Sequence, residues 1–175
     1  SLEYTAPHST NGMQYSIQAN PDGSRYVRVD TDQDIFEGKT VKEMRETARK
    51  YILDKFRGKV IPLGEDSNAF VNGRAASEYA NPANRRMPED LKAAKMKAAP
   101  ELDNLLAVSR RIAHTPDDGR HPDATGGWDT YLTNFQIGDE YFTGEVKIKI
   151  TDRGRLFYDV TQIERTTRNR DQTGV

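Results

Sequence analysis

The sequence predicts an α+β domain in which helices pack on one face of a C-terminal antiparallel meander sheet, leaving the other face polar and open. Three observations predict it. Residues 40–57 carry a single apolar stripe at helical spacing, residues 128–164 hold three segments of alternating polarity, and glycine turns separate those segments.

Taken in order, residues 1–12 (SLEYTAPHSTNG) have no period and read as a linker, and residues 13–164 as one domain. MQYSI and RYVRVD flank Asn20-Pro21-Asp22-Gly23, a turn tetrapeptide that predicts a hairpin. Thr40 with Glu43 three residues on is a capping box. Val41, Met44, Ala48, Ile52 and Phe56 then form the stripe, and Gly58 marks the stop. KVIPL (59–63) and NAFVN (68–72) are short strand candidates, and GRAASEY opens a short helix. Pro88 sits at a first helical position, Pro100 starts a further turn into ELDNLL, and AVSRRIAH reads as a strand. TPDDGRHPDATGG, rich in turn formers, is a long loop of the kind that often carries function. The tail from Arg165 to Val175 reads as disordered.

Turn type sets register, and register decides which side chains share a face. Gly138-Asp139 suits a two-residue turn that brings Ile137 opposite Glu140. Asp152-Arg153-Gly154 suits a three-residue turn that brings Thr151 opposite Arg155. Tyr131, Phe135, Phe142, Val146, Ile148, Ile150, Leu156, Tyr158 and Val160 then share the buried face, with Asp129 at its end. Trp128, Thr130, Glu145, Lys147, Lys149, Asp159 and Thr161 share the other. One reading of that second set is a solvated face with cross-strand ion pairs, each worth about 0.2–1 kcal/mol. The other reading is a site: Glu145 as base, Lys147 as stabiliser of phosphate charge, Trp128 as stacking platform.

Composition narrows the functional classes. Lys+Arg is 26 and Asp+Glu 27, so a nucleic-acid site has to be a local patch. There is no cysteine, hence no disulfide or thiolate metal site, which fits a reducing, cytoplasmic setting. No apolar run approaches the ~20 residues of a membrane span, and no signal peptide opens the chain. The chain begins at Ser1 and reads as a piece of a larger protein or a processed product. No P-loop, GxGxxG, HExxH or GxSxG occurs, so neither cofactor nor metal is expected.

Of the histidines, His8 falls in the linker, His114 ends a strand, and His121 lies in the long loop before Trp128. Either of the last two can overhang the polar face, and imidazole suits acid–base cleavage of a phosphodiester. Arg85-Arg86, Arg110-Arg111, Arg165, Arg168 and Arg170 are candidate phosphate contacts or plain solubilising charge.

The order of pieces resembles a family of phage- and mobile-element-associated domains of the barnase, EndoU, colicin ribonuclease and RelE-like group. Those domains occur at the C-terminus of MuF-type phage head proteins or within very large polyvalent proteins. The pieces are YVRVDTDQDIFEGKTVKEMRETARKYI, KVIPL, GRAASEY, PELDNLLAVS, GGWDTYLTNFQI, EVKIKI and GRLFYDVTQI, spanning residues 26–164. The resemblance implies an open sheet face that cleaves RNA through the ribose 2′-OH without a metal. His114 or His121, Glu145, Lys147 and Thr161 fit its catalytic groups. Trp128, Thr130, Lys149, Asp159 and Arg74 are its expected substrate contacts. EndoU-type enzymes use the order His, His, Lys, Ser/Thr, Tyr. Here Tyr158 precedes Thr161 and falls on the buried face in the register above. RNA, an immunity protein or a parent polyprotein are the implied partners, and the cytoplasm, own or phage-invaded, the implied location. A non-catalytic nucleic-acid or protein-binding (packaging) module with the same fold is the alternative.

Overall fold

The computed structural model describes residues 9–10, 13–14, 16–31, 34–81 and 87–167, and they form a mixed α+β fold. His8, Arg85, Arg86, Arg168 and Arg170 lie outside the described residues. Strands β1 (Ser9–Thr10) and β2 (Met13–Gln14) pair with each other, so part of the expected linker is a short ladder. β3 (Ile17–Ala19) and β4 (Arg25–Arg28) make the expected hairpin around residues 20–23, although its first strand starts later than the sequence suggests.

Helix α1 (Val41–Lys55) begins as its capping box demands. The Thr40 hydroxyl accepts from the Glu43 amide at 3.2 Å, and the Glu43 carboxylate accepts from the Thr40 amide at 3.0 Å. Met44, Ala48, Ile52 and Phe56 of the stripe predicted from spacing are buried, and Val41 at its start is half-buried. β5 (Val60–Leu63), β6 (Ser67–Phe70) and α2 (Gly73–Tyr79) follow, with the Asn72 side chain capping α2 through the Ala75 amide. Then come α3 (Glu89–Ala98), a 3-10 turn at Ala99–Glu101 and α4 (Leu102–Ala107). Strand β7 (Arg110–Thr115) starts later than predicted because α4 holds the chain to Ala107 and caps at Val108.

The meander is β8 (Trp128–Ile137), β9 (Glu140–Thr151) and β10 (Gly154–Thr166). It is the middle of a larger mixed sheet in the order β3-β4-β8-β9-β10-β6-β5, with β7 paired to β8 outside that path. β4 runs parallel to β8 and β6 parallel to β10, so the sheet is not purely antiparallel. Phe135, Phe142, Val146, Ile148, Phe157 and Val160 join α1's Met44, Ala48 and Ile52 in one core, where Phe135 and Phe142 stack at 5.1 Å.

The β8–β9 register is as predicted, from Ile137 opposite Glu140 to Trp128 opposite Lys149. The β9–β10 register is not. Gly154, not Arg155, lies opposite Thr151, because the turn has two residues rather than three. The Thr151 hydroxyl closes it, donating to the Gly154 carbonyl at 2.9 Å and accepting the Arg153 amide at 3.1 Å. Leu156 therefore meets Lys149, and Phe157 meets Ile148 in the core. A bulge at Tyr158 then restores the predicted pairs Asp159–Lys147, Val160–Val146 and Thr161–Glu145. Leu156 and Tyr158 are thus displaced from the face predicted for them, and Phe157 takes the core position. A second bulge, with Gln162 at φ 52, carries β10 on to Thr166, past the point where a disordered tail was expected. Among the described residues, no helix is long and apolar enough to cross a membrane.

Candidate functional site

Side chains alternate across a strand, so Trp128, Thr130, Glu145, Lys147, Lys149, Asp159 and Thr161 lie away from Phe135, Val146 and Ile148. That side is not uniformly open. Thr130, Lys149 and Asp159 are buried, while Trp128, Glu145, Lys147 and Thr161 are half-buried.

The loop at residues 116–127 brings His121 to this side. Asp117 organises it: one carboxylate oxygen accepts the Gly119 and His121 amides, and the other accepts the Trp128 indole N–H at 2.9 Å. The indole bond, followed by those amide bonds, holds the Asp117 carboxyl below its usual range. At the far end the Gly126 amide donates to the Ile150 carbonyl, and the Ile150 amide donates to the Gly127 carbonyl. A Cβ on Gly126 would sit 2.4 Å from Ile150 Cγ2, and one on Gly127 would sit 2.5 Å from the Thr115 carbonyl oxygen. Only glycines let the loop lie this close to the strands.

The rings of His121, Trp128 and Tyr158 meet edge to face. Their centroids are 5.0 Å (His121–Trp128), 5.5 Å (His121–Tyr158) and 5.0 Å (Trp128–Tyr158) apart. The Lys149 ammonium lies 5.6 Å from the Trp128 ring and 5.4 Å from that of Tyr158, and bonds the Asp123 carboxylate at 3.1 and 3.2 Å. On α2, Glu78 and Arg74 lie close enough to act electrostatically on the Tyr158 hydroxyl. Burial first, then the Glu78 charge, raises the Tyr158 pKa, so the phenol stays protonated at neutral pH.

Farther along β9, the Lys147 ammonium donates to the Thr130 hydroxyl at 2.9 Å and to Glu145 at 3.2 Å. Thr161 stands opposite Glu145, its hydroxyl oxygen buried without a hydrogen-bond partner. Asp159, expected as a substrate contact, pairs with Lys95 of α3 at 2.8 Å. Its carboxyl is pushed up by burial, an effect the Lys95 ammonium only moderates.

His114 is elsewhere. Its Nδ1 lies 2.7 Å from Asp129 Oδ1, and Asp129 shares the side of Ile148. The two histidines therefore serve different sides of β8: His121 reaches the side of Trp128 and Lys147, and His114 the side of Asp129 and Ile148. The sequence reading missed Glu78, Asp117 and Asp123, and it assigned Tyr158 to the core. The Asp117 turn had a local signal in the Pro-Asp-Asp-Gly run. The Tyr158 bulge had none, since Phe157 and Tyr158 suit a core position equally well.

Among the described residues, no group of three or more His, Asp or Glu side chains is arranged to hold a metal ion. No protein-family model, curated protein or solved structure matches the chain. The arrangement brings an imidazole, an indole and a phenol together, and imidazole and phenol are groups suited to proton transfer.

Proposed function

We propose that this chain is a metal-independent RNA-cleaving domain acting on the side of β8–β10 that carries His121. That side is partly covered, by Lys95 of α3 at Asp159, and the substrate would enter where Trp128, Glu145, Lys147 and Thr161 are half-buried. One observation carries the proposal: His121 is held against Trp128 and Tyr158 at 5.0 and 5.5 Å, so an imidazole, a stacking ring and a phenol converge. His121 takes the proton of the ribose 2′-OH, and the 2′-oxygen attacks phosphorus. The 5′-oxygen leaves with the proton of Tyr158. Arg74 and Lys147 offset the charge of the phosphorane, and Glu145 sets the position of Lys147. The chain then belongs to a phage or mobile-element protein, or to a toxin restrained by an immunity protein, and acts in a cytoplasm.

A second reading has its own support. Lys149–Asp123, Lys147–Glu145 and Lys95–Asp159 are closed ion pairs, which leaves this side little free positive charge. That suits a binding or packaging module without chemistry. Incubating the protein with mixed RNA in EDTA and analysing product ends separates the two. Ends bearing 2′,3′-cyclic phosphate and 5′-hydroxyl support cleavage, whereas intact RNA retained on the protein supports the module.

A further inference from the structure

Across β8 from His121, a second cluster gathers around Asp129, whose carboxylate is 1% exposed. A carboxylate only accepts, so the His114 Nδ1–H donates to Asp129 Oδ1, and Nε2 is left pointing away from that bond. The other oxygen, Oδ2, is buried without a hydrogen-bond partner. Two guanidinium groups approach it without closing: Arg155 Nε at 3.8 Å and Arg111 Nη1 at 3.9 Å. Both distances exceed a hydrogen bond. Arg155 Nε is itself buried without a partner. Leaving such groups unpaired is costly, and the cost is greater for charged ones. Arg155 Nε is therefore held close to a carboxylate that does not satisfy it, and Arg111 approaches the same oxygen from the exposed side.

Their outer edges face solvent. The side chains of Arg111, Arg155 and His114 are 58%, 39% and 50% exposed, while the carboxylate lies at the floor. An adjoining cavity of about 600 Å³ is lined by Arg25, Arg110, Arg111 and Arg155, against Glu65 and Asp66. Two arginines beside one carboxylate repel a cation and attract an anion, and guanidinium forks match tetrahedral oxyanions in a bidentate way.

We propose that Arg111, Arg155 and His114 form a binding site for a phosphate-type oxyanion, with Asp129 as the positioning residue beneath. The anion takes the outer N–H groups of the two arginines and faces His114 Nε2. Asp129 aims all three donors from below without touching the ligand. The phosphate comes from a free phosphate or nucleoside 5′-monophosphate seated in the cavity, or from a nucleic-acid backbone crossing the β7 edge. The site stands whether or not the opposite side cleaves RNA.

The test is titration of the intact protein, followed through the His114 ring-proton NMR signals. The probes are inorganic phosphate, a nucleoside 5′-monophosphate and a short DNA oligonucleotide without terminal phosphates. At matched ionic strength, phosphate probes are expected to move the His114 signals where chloride does not. Arg111→Ala and Arg155→Lys are each expected to weaken binding at least about tenfold, since each removes a charge-assisted fork. Response to phosphate or the mononucleotide identifies a free-phosphate site, and response to the oligonucleotide alone identifies a backbone site. Arg111 is well exposed, so its variant remains informative if the Arg155 variant fails to fold. Phosphate probes and oligonucleotide that act no differently from chloride overturn the proposal, as does unchanged affinity in a folded Arg111→Ala protein.

Discussion

Tyr158 stands out of step with β9, and its ring meets that of Trp128 at 5.0 Å, nearly perpendicular. The bulge that displaces Tyr158 leaves Phe157 in the core and adds an aromatic hydroxyl to the side that carries His121. Tyr158→Phe preserves the ring contacts and removes the hydroxyl that lies beside Glu78. Its expected stability cost is about 1 kcal/mol or less, the usual net worth of one hydrogen bond. Thermal melts should therefore change little while RNA cleavage falls. A variant that melts like wild type and cleaves as fast removes Tyr158 from the chemistry.

The chain has one tryptophan, so its fluorescence reports this site directly. The folded-state pKa of Asp117 is depressed, so its stabilising bonds are fully present above its unfolded value of about 3.9. They are lost as pH falls through the lower folded value. The Trp128 emission should therefore hold steady down to about pH 4 and change only below it. Asp117→Ala should give the altered emission already at neutral pH.

Lys95 and Asp159 form a largely buried pair at 2.8 Å. Asp159→Ala leaves the ammonium buried without its carboxylate, at an expected cost of about 3–5 kcal/mol. Replacing both residues with apolar side chains of similar size should recover most of that loss. Denaturant unfolding of the single and double variants measures it, and additive losses contradict the pairing.

Much of the sheet was legible from its residues. β8 and β9 span the segments read from alternation, because Gly138 supplies the positive φ of 57° that a two-residue hairpin turn requires. The second turn was misread because Gly154 also suits a three-residue loop, and the closing bonds come from the Thr151 hydroxyl, which alternation does not reveal. Beyond the bulge the register recovers, so Lys147 and Thr161 were assigned to the correct side and Tyr158 was not. Neighbouring strands β4 and β6 pair through distant parts of the chain, and no local pattern announces parallel partners. The site was half legible. Trp128 and Lys149 follow from parity, whereas the closeness of His121 depends on a loop whose path is set by Asp117 and the Gly126–Gly127 pair.

That register carries its own test. Val146 is wholly buried, and Val146→Asp should unfold the domain by burying an unpaired charge. Lys147→Ala removes a half-exposed pair and should cost no more than about 1 kcal/mol. Equal damage from the two contradicts the assignment of faces.

Gly126→Ala should cost about 1–3 kcal/mol, because its new methyl would overlap Ile150. In an Ile150→Ala background the penalty should shrink, which a double-mutant cycle reads as coupling. Independent effects would mean that the loop does not rest on that side chain.

The most direct measurement is the initial rate of RNA cleavage in EDTA by wild type, His121→Ala and, as a control, Lys42→Ala on the exposed surface of α1. Wild type and the control should cleave at the same rate, and loss of the imidazole should slow cleavage by about 10²–10⁴-fold. Folded wild-type protein that leaves RNA intact, or a His121→Ala variant as fast as wild type, contradicts the assignment.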